Sequence, residues 1–432
     1  MRAVQFVHAP SIVSAGPGAA AAPGDVADAA DRRRRAGRAY NGRVIYRRFG
    51  RTELPMPAFS CGGMRFQQSW NRQAAVTAAS QRNLEAVVDR ALALGVTHIE
   101  TARGYGTSEA QLGPALARHP RDSFILQTKI VPTEDPADFE RYFDESLQRL
   151  RVDHVDLLSM HGINNRVAFD RALRPRGCWE VADRLRRAGR ARHVGFSTHA
   201  PTDLILAAID SGRFDYVNLH YYYIFQDNGP ALDAARRHDM GVFIISPSDK
   251  GGRLYRPPPR LRALCAPLSP MVFNDLFCLA HPEIHTLSLG AARPTDFDEH
   301  LQVLSLLDDP RPTLDPIIAR LDAAYRAAVG EEFARDWRVG LREWDQLPGQ
   351  INVRRILWLR NLVKAYDLLD FAQERYAAMS PEDNWVPGAR AKTVDDRAMI
   401  DALPESPFRA QIPALLREAH ALLDNPAAQP MP

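Results

Sequence analysis

The stretch NLEAVVDRALALGVTHIE, residues 83–100, carries the repeating unit of the fold. Leu84, Val87, Val88, Ala91 and Leu92 fall at i, i+3, i+4, i+7 and i+8, which makes one face of a helix apolar. Gly95 closes that helix, because glycine takes the left-handed conformation after a helix cap without strain. The run VTHIE then reads as a strand. The same helix, glycine turn and strand recur in ADRLRRAGRARHVGF (182–196) and DAARRHDMGVFIIS (233–246).

Working outward gives eight strand runs: PAFSC (57–61), VTHIE (96–100), FILQTK (124–129), VDLLSM (155–160), HVGFS (193–197), YVNLH (216–220), VFIIS (242–246) and IHTLSL (284–289). Continuous apolar strands separated by helices suit a parallel sheet buried on both faces. Eight of them fit an α/β fold of the (β/α)8 TIM-barrel type, spanning residues 43–310. A doubly wound sheet is the alternative, but its G-x-G-x-x-G fingerprint after the first strand is missing. Residues 1–42, with AGPGAAAAPGD and DRRRRAGR, have neither period and read as a disordered tail or an upstream start. Residues 311–432 keep only helical periodicity and read as a smaller all-helical C-terminal domain.

Composition excludes several classes. The 55 basic and 52 acidic side chains leave a net charge of +3, which argues against a nucleic-acid partner. No apolar run of about 20 residues occurs, so a spanning helix is not expected and the reading is cytoplasmic, with no membrane partner. The four cysteines, Cys61, Cys178, Cys265 and Cys278, include no C-x-x-C pair, which argues against a zinc knuckle or an iron-sulfur cluster. Nor does H-x-H spacing mark a strand end, which disfavours a metal-dependent barrel hydrolase and leaves metal ligands unassigned.

In such a barrel, chemistry sits at the C-terminal ends of the strands. The second strand ends at Glu100 with Tyr105 in the following loop, the third at Lys129, and the fourth at His161. Taken singly, each has an ordinary reading: a packed loop aromatic, a lysine reaching for water, a structural histidine, a rim carboxylate. Their conjunction on one face points to proton transfer. A tyrosine of pKa about 10 exchanges protons more readily beside a cation, which Lys129 supplies. Glu100 would hold that lysine, and a neutral His161 would donate to a substrate oxygen. Such a site protonates a carbonyl oxygen while a hydride reaches the carbon.

These residues resemble the aldo-keto reductases. The family pattern D-T-A-x-x-Y-G-x-S-E corresponds here to ETARGYGTSE, and FILQTK, DLLSMH, GFST and SPSDKGGRL follow in order over roughly residues 44–305. The resemblance implies NADPH-dependent reduction of a small-molecule carbonyl substrate, with Tyr105 as acid and Lys129, His161 and Glu100 in support. It sets no oligomeric state. For the cofactor it implies Ser197, Thr198 and Asn218 near the nicotinamide, and Ser246, Lys250 and Gly251 near the pyrophosphate. Gly290, Arg293 and Asp298 follow the eighth strand, with Arg293 as 2'-phosphate ligand.

The sequence departs from the pattern in several places. Glu100 stands for the usual aspartate, Thr198 for an asparagine, Asn218 for a glutamine and His300 for an asparagine. An expectation of wild-type or higher activity for Glu100→Asp follows. Phe66, Trp70, Tyr221, Tyr222, Tyr223 and Phe225 are candidates for an aromatic pocket wall, and YRPPPRLRALCAPLSP (255–270) for a stiff flap over the cofactor. The C-terminal helices resemble the ferredoxin-like extension of one bacterial branch of these reductases, without the thiolates that a cluster requires. A cofactor-binding sensor or partner subunit on the same barrel is the competing reading.

Overall fold

A computed structural model describes residues 44–428; the expected N-terminal tail and its arginine run lie outside the described residues. The chain divides into two compact units, one of residues 44–256 with Leu268–Leu314, the other of Pro257–Pro267 with 315–428.

The first unit is a closed eight-stranded parallel barrel preceded by a short antiparallel hairpin. The hairpin pairs β1 (Tyr46–Arg48) with β2 (Pro55–Pro57), and sequence periodicity gives no sign of these three-residue strands. The barrel strands are β3 (Phe59–Gly62), β4 (His98–Glu100), β5 (Ile125–Ile130), β6 (Val155–Met160), β7 (Ala191–Ser197), β8 (Tyr216–Leu219), β9 (Gly241–Ile244) and β10 (Thr286–Leu289). Each matches one of the eight runs read from the sequence, and β10 closes on β3 through Ser288 opposite Ser60.

The opening stretch folds as its spacing demands. Helix Ala78–Ala93 buries Leu84, Val87, Val88 and Ala91, while Thr77 caps it by accepting from Ser80 N at 3.2 Å. Gly95 follows with φ of +82°, and the chain turns into β4. Helix Pro136–Leu150 is built likewise, with the Asp135 side chain as its cap and proline in its first turn.

Register decides what points inward. Ser60 lies opposite His98, Gly62 opposite Glu100, Lys129 opposite Ser159, and Ser197 opposite Asn218. At the lower end Phe49 and Met56 pack with Ile125, Leu157, Tyr216 and Phe243 into an apolar floor. Two glycines make room for it. A Cβ at Gly195 would lie 2.6 Å from the Tyr216 ring, and one at Gly241 equally close to Phe49. Above the floor the interior turns polar. Ser60 Oγ lies 2.6 Å from both His98 Nδ1 and Thr286 Oγ1.

The second unit contains the helices Pro259–Cys265, Glu331–Asp336, Val353–Tyr366, Leu369–Ala377, Asp396–Ala402 and Ile412–Leu423. Its core includes Trp337, Ile356, Leu359, Tyr376, Ile412 and Leu416, and Tyr376 OH lies 2.7 Å from His420 Nδ1. Residues 257–267, the middle of the expected flap, belong to this helical unit by their contacts.

Candidate active site

Three adjacent strands bring the candidate groups together. Glu100 ends β4, Lys129 is the penultimate residue of β5, and His161 follows β6 directly. Tyr105 enters from the loop after β4, where its N–H donates to Ala102 O at 2.9 Å. Gly106, with φ of +51°, turns that loop so tightly that a Cβ there would fall 1.9 Å from Ser69 O. Only glycine fits.

Lys129 is 1% exposed and Glu100 3%, so an ammonium and a carboxylate are both taken out of water. The ammonium has three N–H bonds and three acceptors: Glu100 Oε2, Thr101 O at 2.9 Å, and Tyr105 OH at 3.3 Å. The other carboxylate oxygen, Oε1, accepts from Ser288 Oγ at 3.0 Å. Because Lys129 donates to the phenol oxygen, the phenol's own proton is left to point elsewhere. His161 meets Tyr105 edge-on, with ring centroids 5.7 Å apart.

The proton affinities follow from burial and charge. Burial pushes the Lys129 ammonium toward losing its proton, but Glu100 and Tyr105 more than offset this and hold it above its usual value. Burial, with Lys129 and Lys250 adding to it, pushes His161 down to about 3, so its imidazole is neutral near pH 7. Tyr105 differs from the sequence expectation. Lys129 does favour the phenolate, yet burial, reinforced by Glu100, outweighs it and the phenol lies above its ordinary value. The ammonium therefore tempers a cost of burial rather than producing an acidic tyrosine.

Other candidates divide into engaged and open groups. Asn218, fully buried on β8 beside Ser197, has no hydrogen-bond partner for either side-chain amide atom. Ser197 accepts from Gly162 N at 3.1 Å. Thr198 donates its hydroxyl to Ile163 O at 2.7 Å and accepts from Ala200 N at 3.0 Å. After β9, Ser246 has a φ of +52°, Lys250 Nζ lies 3.4 Å from His199 Nε2, and a Cβ on Gly251 would sit 2.2 Å from Pro247 O.

After β10 the candidate residues have partners within the protein. Gly290 faces the Arg65 side chain. Arg293 gives its fork to Asp296 Oδ1, at 3.2 and 3.1 Å. Asp298 pairs with Arg90 at 2.8 Å, and His300 is buried against Asp275 at 2.5 Å. The aromatic candidates split as well. Trp70 is 52% exposed, whereas Tyr221 stacks on Phe277 and Tyr223 meets Phe273 edge-on, which makes those two packing residues. Sequence reasoning missed Ser288 and Gly62, since a serine and a glycine inside strands carry no pattern of their own.

The aldo/keto reductase family pattern matches residues 58–256, which span β3 to β9 with the loops that bear Tyr105 and His161. Over these residues the barrel is similar to the aldo/keto reductase family. Among relatives, the uncharacterized oxidoreductase YrpG of Bacillus subtilis is 27% identical over 229 residues, 47% of this chain and 66% of that protein. L-galactose dehydrogenase of Arabidopsis thaliana is 28% identical over 188 residues, 40% and 58% of the two chains. L-glyceraldehyde 3-phosphate reductase of Escherichia coli is 27% identical over 327 residues, 62% and 89%. The chain thus spans 66% and 58% of the first two relatives.

Solved aldo-keto reductase structures share the fold. One from Bacillus halodurans has a TM-score of 0.54 at 21% identity, covering 64% of this chain and 96% of its own. Another, from Klebsiella pneumoniae in complex with NADPH, has a TM-score of 0.51 at 20% identity, covering 64% and 95%. Among the described residues no three His, Cys, Asp or Glu side chains converge as metal ligands would, and no helix is long and apolar enough to cross a membrane.

Proposed function

We propose that the barrel reduces an aldehyde or ketone, reversibly, with Tyr105 as general acid and NADPH as hydride donor. The observation that carries this is the Lys129 ammonium donating to Tyr105 OH while Glu100 and Thr101 take its other two hydrogens. A phenol oriented in this way presents its proton outward. Lys129 then stabilises the phenolate left behind, at a site where burial strengthens the attraction. His161, neutral, donates to the substrate oxygen and orients it without competing as an acid.

The residues fit a nicotinamide cofactor, which when bound supplies the hydride. A carboxamide has the donor and the acceptor that the buried Asn218 amide lacks. Ser246, Lys250 and Gly251 would hold its pyrophosphate, Gly290 and Arg293 the adenosine end. Asp298, paired with Arg90, would shape the helix behind that end. We read the helical segment 311–432 as an extension without cluster ligands, and the protein as cytoplasmic.

The test is NADPH oxidation against a panel of aldehydes and ketones, wild type beside Tyr105→Phe. General acid catalysis is worth about 10²- to 10⁴-fold, so the variant should lose that much. Equal turnover by both proteins would remove Tyr105 from the mechanism. A cofactor-binding sensor is the second reading, favoured by Thr198 and Arg293 being engaged within the protein. It predicts quenching of tryptophan fluorescence by NADPH with no reduction of any carbonyl in the panel.

A further inference from the structure

The carboxylate of the buried pair is a glutamate, one methylene or about 1.5 Å longer than an aspartate. Space and a donor for that extra length come from two residues on neighbouring strands. Gly62 lies opposite Glu100 in the β3–β4 register. A Cβ on Gly62 would fall 2.6 Å from Ser288 Oγ and 3.0 Å from Glu100 Oε1, so only a residue without one leaves that oxygen in place. Ser288, inward on β10, donates to the same Oε1 at 3.0 Å. Rotating the serine to relieve a new Cβ would break that hydrogen bond. The niche therefore couples three strands: β3 by an absence, β10 by a donor, β4 by the acid.

We propose that Ser288 and Gly62 are positioning residues that make this site specific for glutamate at position 100. With Oε1 held by Ser288, Oε2 is left to bind Lys129. An aspartate cannot reach both partners. If it keeps Ser288, the ammonium shifts away from Tyr105; if it keeps Lys129, the serine is left buried without its acceptor. The expectation drawn from sequence, that Glu100→Asp equals or exceeds wild type, is thereby reversed. The kinetic part of this inference rests on the proposed carbonyl reduction.

The experiment is a double-mutant cycle of Glu100→Asp and Gly62→Ala, with Ser288→Ala alongside, read as kcat, KM and melting temperature. A displacement of about 1 Å in a catalytic group costs up to about 10²-fold. Glu100→Asp and Gly62→Ala should each lower kcat about 10- to 100-fold with KM within about threefold, and Ser288→Ala about 3- to 10-fold. The double variant should be no slower than Glu100→Asp alone, because a serine no longer bound to Oε1 can rotate away from the added methyl, and the shorter acid withdraws the oxygen that would lie 3.0 Å from it.

Melting temperature repeats the logic without turnover, with Gly62→Ala less destabilising beside an aspartate than beside Glu100, the contact with Leu289 O at 3.1 Å being common to both. Wild-type kcat in Glu100→Asp, or independent effects of the two substitutions, would overturn the proposal. Should the wild type oxidise no NADPH with any carbonyl, the proposed reaction fails while the melting cycle still decides the niche. Should Gly62→Ala not fold, Glu100→Asp and Ser288→Ala remain decisive by their split between kcat and KM.

Discussion

Replacing Lys129 by methionine removes the cation of a buried pair and leaves its anion behind. Lys129 is 1% and Glu100 3% exposed, so solvent does not screen the survivor. Removing one member of such a pair costs about 3–5 kcal/mol, because the remaining charge keeps its desolvation penalty without compensation. At about 2 °C per kcal/mol for a unit of this size, the barrel of Lys129→Met should melt about 6–10 °C below wild type. Adding Glu100→Gln removes the stranded charge, and the glutamine amide oxygen can still accept from Ser288. The double variant should therefore return to within about 3 °C of wild type. Differential scanning calorimetry at pH 7.5 measures both. A single variant that melts within about 2 °C of wild type, or a double variant no better than the single, would refute the buried coupling on which the tyrosine's orientation depends.

Other outcomes follow from the same geometry. His98 and His161 are each pushed down to about 3 by burial, with Lys129 adding to it. The unfolded chain binds more protons than the folded one between that value and about 6.5, so stability is full above pH 6.5 and falls as pH drops. Each histidine costs about 2 kcal/mol at pH 5, and His98→Asn should flatten the decline of melting temperature between pH 6.5 and 5. Asn218→Leu should weaken NADPH binding about 10-fold in a fluorescence titration while leaving melting temperature equal or higher, since it removes an amide buried without partners. Asp296→Ala frees the Arg293 fork and should tighten NADPH about threefold but leave NADH unchanged; equal effects on both cofactors would take Arg293 away from the 2'-phosphate.

The barrel was legible because its signals are local and periodic. Five apolar residues at helical spacing and Gly95 specify one helix-to-strand unit, and the unit repeats. The β1–β2 hairpin was not legible, since strands of three residues are too short to carry a period of two. Its role is long-range: Phe49 and Met56 close the barrel against Tyr216 and Phe243, residues far along the chain. A glycine such as Gly241 reads in sequence as a turn signal, whereas in the fold it is the space for the Phe49 ring.

At the site, the residue types were legible and their prior commitments were not. Whether a polar side chain is available to a ligand depends on which neighbours have already claimed it, and those neighbours come from other strands. Thr198 and Asn218 sit at adjacent strand ends with similar hydrogen-bonding capacity. Yet the threonine's hydroxyl already donates to Ile163 O, while the asparagine's two amide atoms remain without partners. Arg293 illustrates the weaker form of commitment. Its pairing with Asp296 lies at 75% and 22% exposure, where an ion pair is worth at most about 1 kcal/mol, so a phosphate that offers two charge-assisted bonds can displace it. Glu100 illustrates the stronger form: its two oxygens are divided between Ser288 and Lys129 under complete burial, and neither contact can be exchanged for water. Substitutions at the rim should therefore change cofactor preference by small factors, and substitutions in the buried niche should change the rate itself.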